Sequence, residues 1–225
     1  MKIVPAVLPY SFAELEEKLA LLKGATDFVQ IDITDGKFAG RASWPLNKPD
    51  ENFEAIVNQE KGFPFWEDFD FEIDLICQNP FSLANDFISA GASKIIFHVD
   101  TLSLSEDALL LDQLKTEELV QIGIACTADT DEEHLKDFLK YADFIQVMGI
   151  QKIGFQGEPF YPKCLERISW LRQELPNIEI SVDGAMTPET AELVKNAGAT
   201  KIVSGSFILE SVNPIEAIKE FEDLL

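Results

Sequence analysis

The chain has 225 residues, and no Pro/Gly/Ser-rich linker or abrupt change of composition divides it, so residues 1–225 are expected to form one domain. With 46% hydrophobic and 10% aromatic residues it can fill a core, which excludes global disorder. Eighteen Lys plus Arg against 40 Asp plus Glu leave a net charge of −22, which repels nucleic acid and anionic membrane and obliges any phosphate ligand to be held by local backbone N–H groups.

The opening MKIVPAVLP is too short an apolar stretch for a signal peptide or a membrane span, and a cytoplasmic protein is expected. Lys2–Leu8 suits a buried parallel strand. Ser11 and Glu14 then have the spacing of a capping box, with Phe12, Leu15, Leu19 and Leu22 at helical intervals and Gly24 placed to end the helix in a left-handed turn. Further strands are predicted at Phe28–Ile33, Phe71–Ile76, Lys94–Val99, Val120–Cys126, Asp143–Met148, Glu179–Val182 and Lys201–Ser204. Helical patterns between them cover Glu51–Gln59, Phe81–Ala90, Glu106–Lys115, Glu132–Tyr141, Pro162–Leu175 and Pro188–Ala197, with a last one at Pro214–Leu224. One helix-to-strand join recurs, as Gly24-Ala-Thr, Gly91-Ala-Ser and Gly198-Ala-Thr, each leading into an apolar run. Repeated joins of one type imply stacked strand–helix units on a parallel sheet.

Eight strands alternating with helices predict a (β/α)8 TIM barrel, although that fold typically takes about 250 residues. A doubly wound open sheet is the alternative, and the lack of G-x-G-x-x-G after the first strand weakens its dinucleotide-binding form. The connection from about residue 36 to 70 is long for such a unit; its aromatics and prolines suit a lid, an oligomer contact or a surface loop packed by its own side chains.

Active sites of parallel barrels lie at the carboxyl ends of the strands. Those ends supply Ala6, Gln30 and Asp32, Asp74, His98, Cys126, Met148, Asp183 and Ser204 to Ser206. Asp32 and Asp183 each close an apolar strand shortly before a glycine, so they can face one another across a substrate as two proton-handling groups, or simply form strand-end turns. Carboxylates gathered at one rim repel, so either a divalent ion joins them or one keeps its proton. Gly184-Ala185 and Gly205-Ser206 follow the last two strands, where barrels often seat a phosphate. His98 in a buried strand suits a satisfied structural residue or a substrate contact, and His134 in a charged helix a solvated one. Cys77, Cys126 and Cys164 are odd in number and widely spaced, which fits reduced thiols rather than a disulfide framework.

Taken together, VQIDITDGKF, FEIDLICQNP, MGIQKIGFQGEPF, ISVDGAM and VSGS resemble the ribulose-phosphate 3-epimerase family over roughly Lys2 to Leu209. The resemblance implies a (β/α)8 barrel that epimerises a ketopentose or ketohexose phosphate at C3 through an enediolate, with Asp32 and Asp183 as the proton carriers. It also implies a phosphate cradle at Gly184, Ala185, Gly205 and Ser206 together with Gly154 and Gly157 of the loop after the sixth strand. The family's metal is held by two histidines and two aspartates, and here the histidine positions read Gln30 and Asp74, so the implied ligands are Asp32, Asp183, Asp74 and Gln30. Such an all-oxygen set favours Mg²⁺, Mn²⁺ or Ca²⁺ over Zn²⁺, and no organic cofactor is expected. The first-strand serine is Ala6, and the loop from Met148 to Phe160 carries one extra residue. Two other readings remain on the same fold: a phosphosugar lyase or synthase, whose Asp-x-Lys-x-x-Asp motif is missing from Asp74-Leu-Ile-Cys-Gln, and a non-catalytic phosphosugar-binding barrel. The expected partner is a small phosphosugar, and a homo-oligomer is compatible with the sequence.

Overall fold

The structure is a computed structural model and describes residues 1–155 and 157–224. Eight parallel strands close into a barrel in sequence order: β1 (Lys2–Val7), β2 (Phe28–Thr34), β3 (Asp70–Ile76), β4 (Lys94–His98), β5 (Gln121–Cys126), β6 (Phe144–Met148), β7 (Glu179–Asp183) and β8 (Lys201–Ser204). Around it run α1 (Phe12–Leu22), α2 (Glu51–Val57), α3 (Pro80–Ser89), α4 (Leu104–Glu117), α5 (Glu132–Leu139), α6 (Cys164–Glu174), α7 (Pro188–Ala197), a short α8 (Ser206–Leu209) and α9 (Pro214–Leu224). The predicted barrel is therefore found, with element ends shifted by a residue or a few.

Strand parity decides what each side chain meets. In β2, Val29, Ile31 and Ile33 point out and are buried in the main core with Leu15, Leu19 and Leu22 of α1, whereas Gln30 lies inside the barrel. The same alternation puts Ile73 and Leu75, Ile122 and Ile124, Ile145 and Val147, and Ile180 and Val182 in that outer core. Cys126 falls in this outward set and is not part of the rim, as the strand-end reading had it; Ala125, its neighbour, packs inside against Ile96 and Phe144.

At the helix ends, Ser11 Oγ accepts from Glu14 N at 3.1 Å, as the box requires, but Glu14 Oε2 reaches the N–H of Tyr10 at 2.8 Å rather than that of Ser11. Gly24, Gly91 and Gly198 all take positive φ, 77°, 96° and 117°, a conformation a side chain would strain.

The long connection after β2 is mostly a loop packed by its own aromatics. Trp44 is fully buried against Phe12, Phe53 and Phe63, and its backbone N–H donates to Pro9 O at 2.9 Å, which ties the segment back to the end of β1. Near its start the segment reaches the barrel mouth, where the Phe38 ring meets that of His98. There the backbone of Gly40 meets that of Gly154, in the loop after β6, so closely that a Cβ on Gly40 would collide with the Gly154 carbonyl oxygen. Since β2 and β6 stand opposite each other, this contact makes a strap across the mouth.

Candidate active site

The register pairs Asp32 with Asp74 on β2 and β3, and closure of the barrel brings Asp183 of β7 to the same place. Each of the three carboxylates offers an oxygen within 4.8 Å of the others. Gln30 ties two of them together: its Nε2 donates to Asp32 Oδ1 at 2.8 Å and to Asp183 Oδ2 at 2.9 Å. Asp74 is held separately, by His98 Nε2 at 2.9 Å and by Gln146 Nε2 at 3.0 Å. Gln30, Asp74, His98 and Gln146 are all fully buried, and Phe38 from the strap lies 5.7 Å from the His98 ring, centroid to centroid.

Electrostatics follow from that crowding. Burial, then the charges of Asp183 and Asp74, push Asp32 well above the usual carboxylate range. Burial, then Asp74, pushes Asp183 up to about 7. Burial would pull the His98 imidazole down, but the adjoining Asp74 outweighs it and the ring holds its proton above the usual histidine range. Among the described residues no Lys or Arg reaches the trio, so protons or a bound cation must balance it.

Asp32 and Asp183 open into a pocket whose walls also include Gly154, Gly157, Gly184, Ala185, Gly205 and Ser206. All six residues expected to form an anion cradle thus gather with the two aspartates. Gln30 and Asp74 lie within the barrel beside them, outside the pocket wall. Gly184 and Ala185 both have positive φ, 101° and 56°, and a Cβ on Gly184 would stand 2.8 Å from Ile150, so the turn after β7 needs glycine first and tolerates alanine second.

A sequence model of the ribulose-phosphate 3 epimerase family matches residues 2–209. The chain belongs to the ribulose-phosphate 3-epimerase family. It is 26% identical to the ribulose-phosphate 3-epimerase of Schizosaccharomyces pombe over 96% of this chain and 90% of that one. It is 29% identical to the Chlamydia pneumoniae ribulose-phosphate 3-epimerase over 87% and 81% of the two chains. Among solved structures it resembles KGPDC from Streptococcus mutans in complex with D-R5P, with a TM-score of 0.71 at 14% identity and 99% and 95% coverage. A 3-hexulose-6-phosphate synthase gives 0.69 at 19% identity over the whole of both chains, and likeness at these identities bears on the fold alone.

Gln30 stands among the carboxylates as the resemblance implies, but it turns nitrogen, not oxygen, toward them, and its Oε1 has no partner. The donors present still fit a hard dication: three carboxylates close enough to share one ion, and an orphaned buried amide oxygen that an amide rotation would bring to it. Sequence reasoning left out Gln146 and gave His98 no partner. The available signal was parity, since Phe144, Gln146 and Met148 share one face of β6, and a glutamine on the inner face of a barrel strand needs a polar partner. His134 is not merely solvated either; its Nε2 meets Val99 O at 3.0 Å and its ring packs edge-on to Phe138.

Proposed function

We propose that this protein is an isomerase that epimerises a ketopentose phosphate at C3, with Asp32 and Asp183 as the two proton carriers. The observation that carries the reading is the pair of strand-end carboxylates, bridged by one amide and opening on one pocket with the glycine-rich loops after β6, β7 and β8. One aspartate, ionised, takes the proton from C3; the electron pair left behind is delocalised as an enediolate; the other aspartate, protonated, returns a proton to the opposite face. Each turnover therefore moves the proton from one carboxylate to the other. With Asp183 near 7 and Asp32 raised as well, the pair retains a proton close to neutrality, which is the state this exchange needs.

Gln30 keeps both carboxylates oriented through one oxygen each and leaves Asp32 Oδ2 and Asp183 Oδ1 for substrate. His98 and Gln146 hold Asp74 so that its charge stays under the pair. Backbone N–H groups of Gly184, Ala185, Gly205 and Ser206, with Gly154 and Gly157, take the phosphate without a basic side chain. Asp32, Asp74 and Asp183, with Gln30 after rotation of its amide, would hold a divalent metal, Mg²⁺ or Mn²⁺ ahead of Zn²⁺ given only oxygen donors. When bound, that ion supplies Lewis-acid stabilisation for negative charge on the substrate's oxygens. The three cysteines are free and buried, in keeping with a cytoplasmic protein.

The test is to incubate metal-repleted protein with ribulose 5-phosphate and ketohexose phosphates in D2O and follow deuterium at C3 together with epimer formation. Both are expected. Phosphosugar binding with neither exchange nor epimer would replace the enzyme by a binding protein.

A further inference from the structure

Among the described residues, the charged side chains lining the active-site pocket are all acidic: Asp32, Asp183 and Glu158. On a chain of net charge −22, a doubly charged phosphosugar is repelled on approach and again at the pocket wall. Immediately outside lies a second recess, formed on the strap itself by residues 37–40 of the loop after β2 and by Gln151, Lys152, Ile153 and Phe155 of the loop after β6. Among the described residues its charged ones are Lys37 and Lys152 alone, both exposed, and Phe155 lines this recess and the active-site pocket alike.

The two lysines differ from most of the chain's others. Lys18, Lys163 and Lys219 sit 2.7, 2.6 and 3.0 Å from carboxylates, whereas among the described residues Lys37 and Lys152 have no ion-pair partner. The acids close by keep their charge, and Asp35 feels that of Lys37, but neither it nor Asp129 pairs directly with the two lysines. Asp35 turns back to accept the N–H groups of Lys37, Phe38 and Gln78, and Asp129, which bonds Gln151, is paired with Lys163 at 2.6 Å. Two exposed ammonium groups without a direct ion pair, in a recess whose described lining holds no acid, form a local positive patch that ends at the pocket mouth, with Asp35 behind it.

We propose that this recess is an anion-docking site that captures the phosphate of an incoming phosphosugar before it passes under the strap to the glycine cradle. It builds on the epimerase reading above. Local positive charge at a mouth raises association rates by about 10–10³-fold at low salt and loses its effect as the Debye length shrinks.

The experiment compares wild type with Lys37→Gln/Lys152→Gln, and with Lys219→Gln as a distant charge control, measuring kcat/KM against ionic strength. The double variant should lose roughly three- to tenfold in kcat/KM at about 0.01 M salt, carried by KM, and converge on wild type near about 1 M, where screening is nearly complete. The control should keep the wild-type curve. A double variant with the wild-type salt dependence overturns the proposal, as does a loss that persists at high salt. Titration of the wild-type protein with inorganic phosphate, followed through the side-chain NMR signals of Lys37 and Lys152, supplies a readout that needs no turnover. Signals that do not move also overturn it. If the protein turns over no phosphosugar yet the lysine signals shift, the epimerase reading fails and the docking site stands.

Discussion

The two ends of the barrel interior are built from the same kinds of side chain and balance them differently. At the floor, the Lys201 ammonium lies 2.9 and 2.7 Å from the two oxygens of Glu72, and Lys2 reaches Glu179 at 3.3 Å. Burial would raise Glu179, but the Lys201, Lys94 and Lys2 charges around it hold it below the usual range. At the rim, three carboxylates share a space that no lysine or arginine among the described residues enters, and Asp183 is driven up to about 7. Compensated charge is a fixture of the fold; uncompensated charge is a group ready to gain or lose a proton, or to bind a cation.

The largest expected effect separates the ends by activity. Asp183→Asn or Asp32→Asn should lower kcat/KM by about 10²–10⁴-fold, the usual contribution of a general acid or base, without unfolding the chain. Turnover assays and circular dichroism check it, and wild-type activity in Asp183→Asn would remove that residue from the chemistry.

At the floor the same kind of change should act on stability instead. Lys201→Met strands the buried Glu72 and is expected to cost about 3–5 kcal/mol, while the double change Lys201→Met/Glu72→Met recovers most of it, since an apolar pair often replaces a buried ion pair at little cost. Urea unfolding of both variants measures this. A harmless single change would mean that the floor is as tolerant as the rim.

Metal binding should sharpen the contrast. If the rim holds a hard dication, Mg²⁺ or Mn²⁺ at 100 times its Kd stabilises the chelated protein by about 2.7 kcal/mol, and Asp74→Asn reduces the gain. Thermal shifts with Mg²⁺, Mn²⁺ and Zn²⁺ added singly decide the ion, and no shift with any of them leaves protons as the sole balance.

A further contrast lies in pH dependence. In metal-free protein Asp183 has a folded-state value of about 7 against the ordinary 3.8, so the folded chain binds this proton more tightly than the unfolded one. That stabilisation is complete below the ordinary value and is lost as pH rises through about 7. Melting temperatures should therefore fall across this window, and the fall should be shallower in Asp183→Asn.

The sequence by itself determined the repeating strand–helix unit, because an apolar run, a capped helix and a terminating glycine are local signals. It also placed Asp32 and Asp183 at corresponding strand ends, and the glycines of the cradle after them, since both follow from counting along the chain. Tertiary structure alone decided what those groups meet. Gln30 reaches Asp183 across 153 positions, Gln146 reaches Asp74 across 72, and Lys201 reaches Glu72 across 129. No spacing encodes such contacts; closure of the barrel and strand parity create them, turning Cys126 out and Ala125 in, and making an amide the bridge between two acids that the sequence could only set on the same rim.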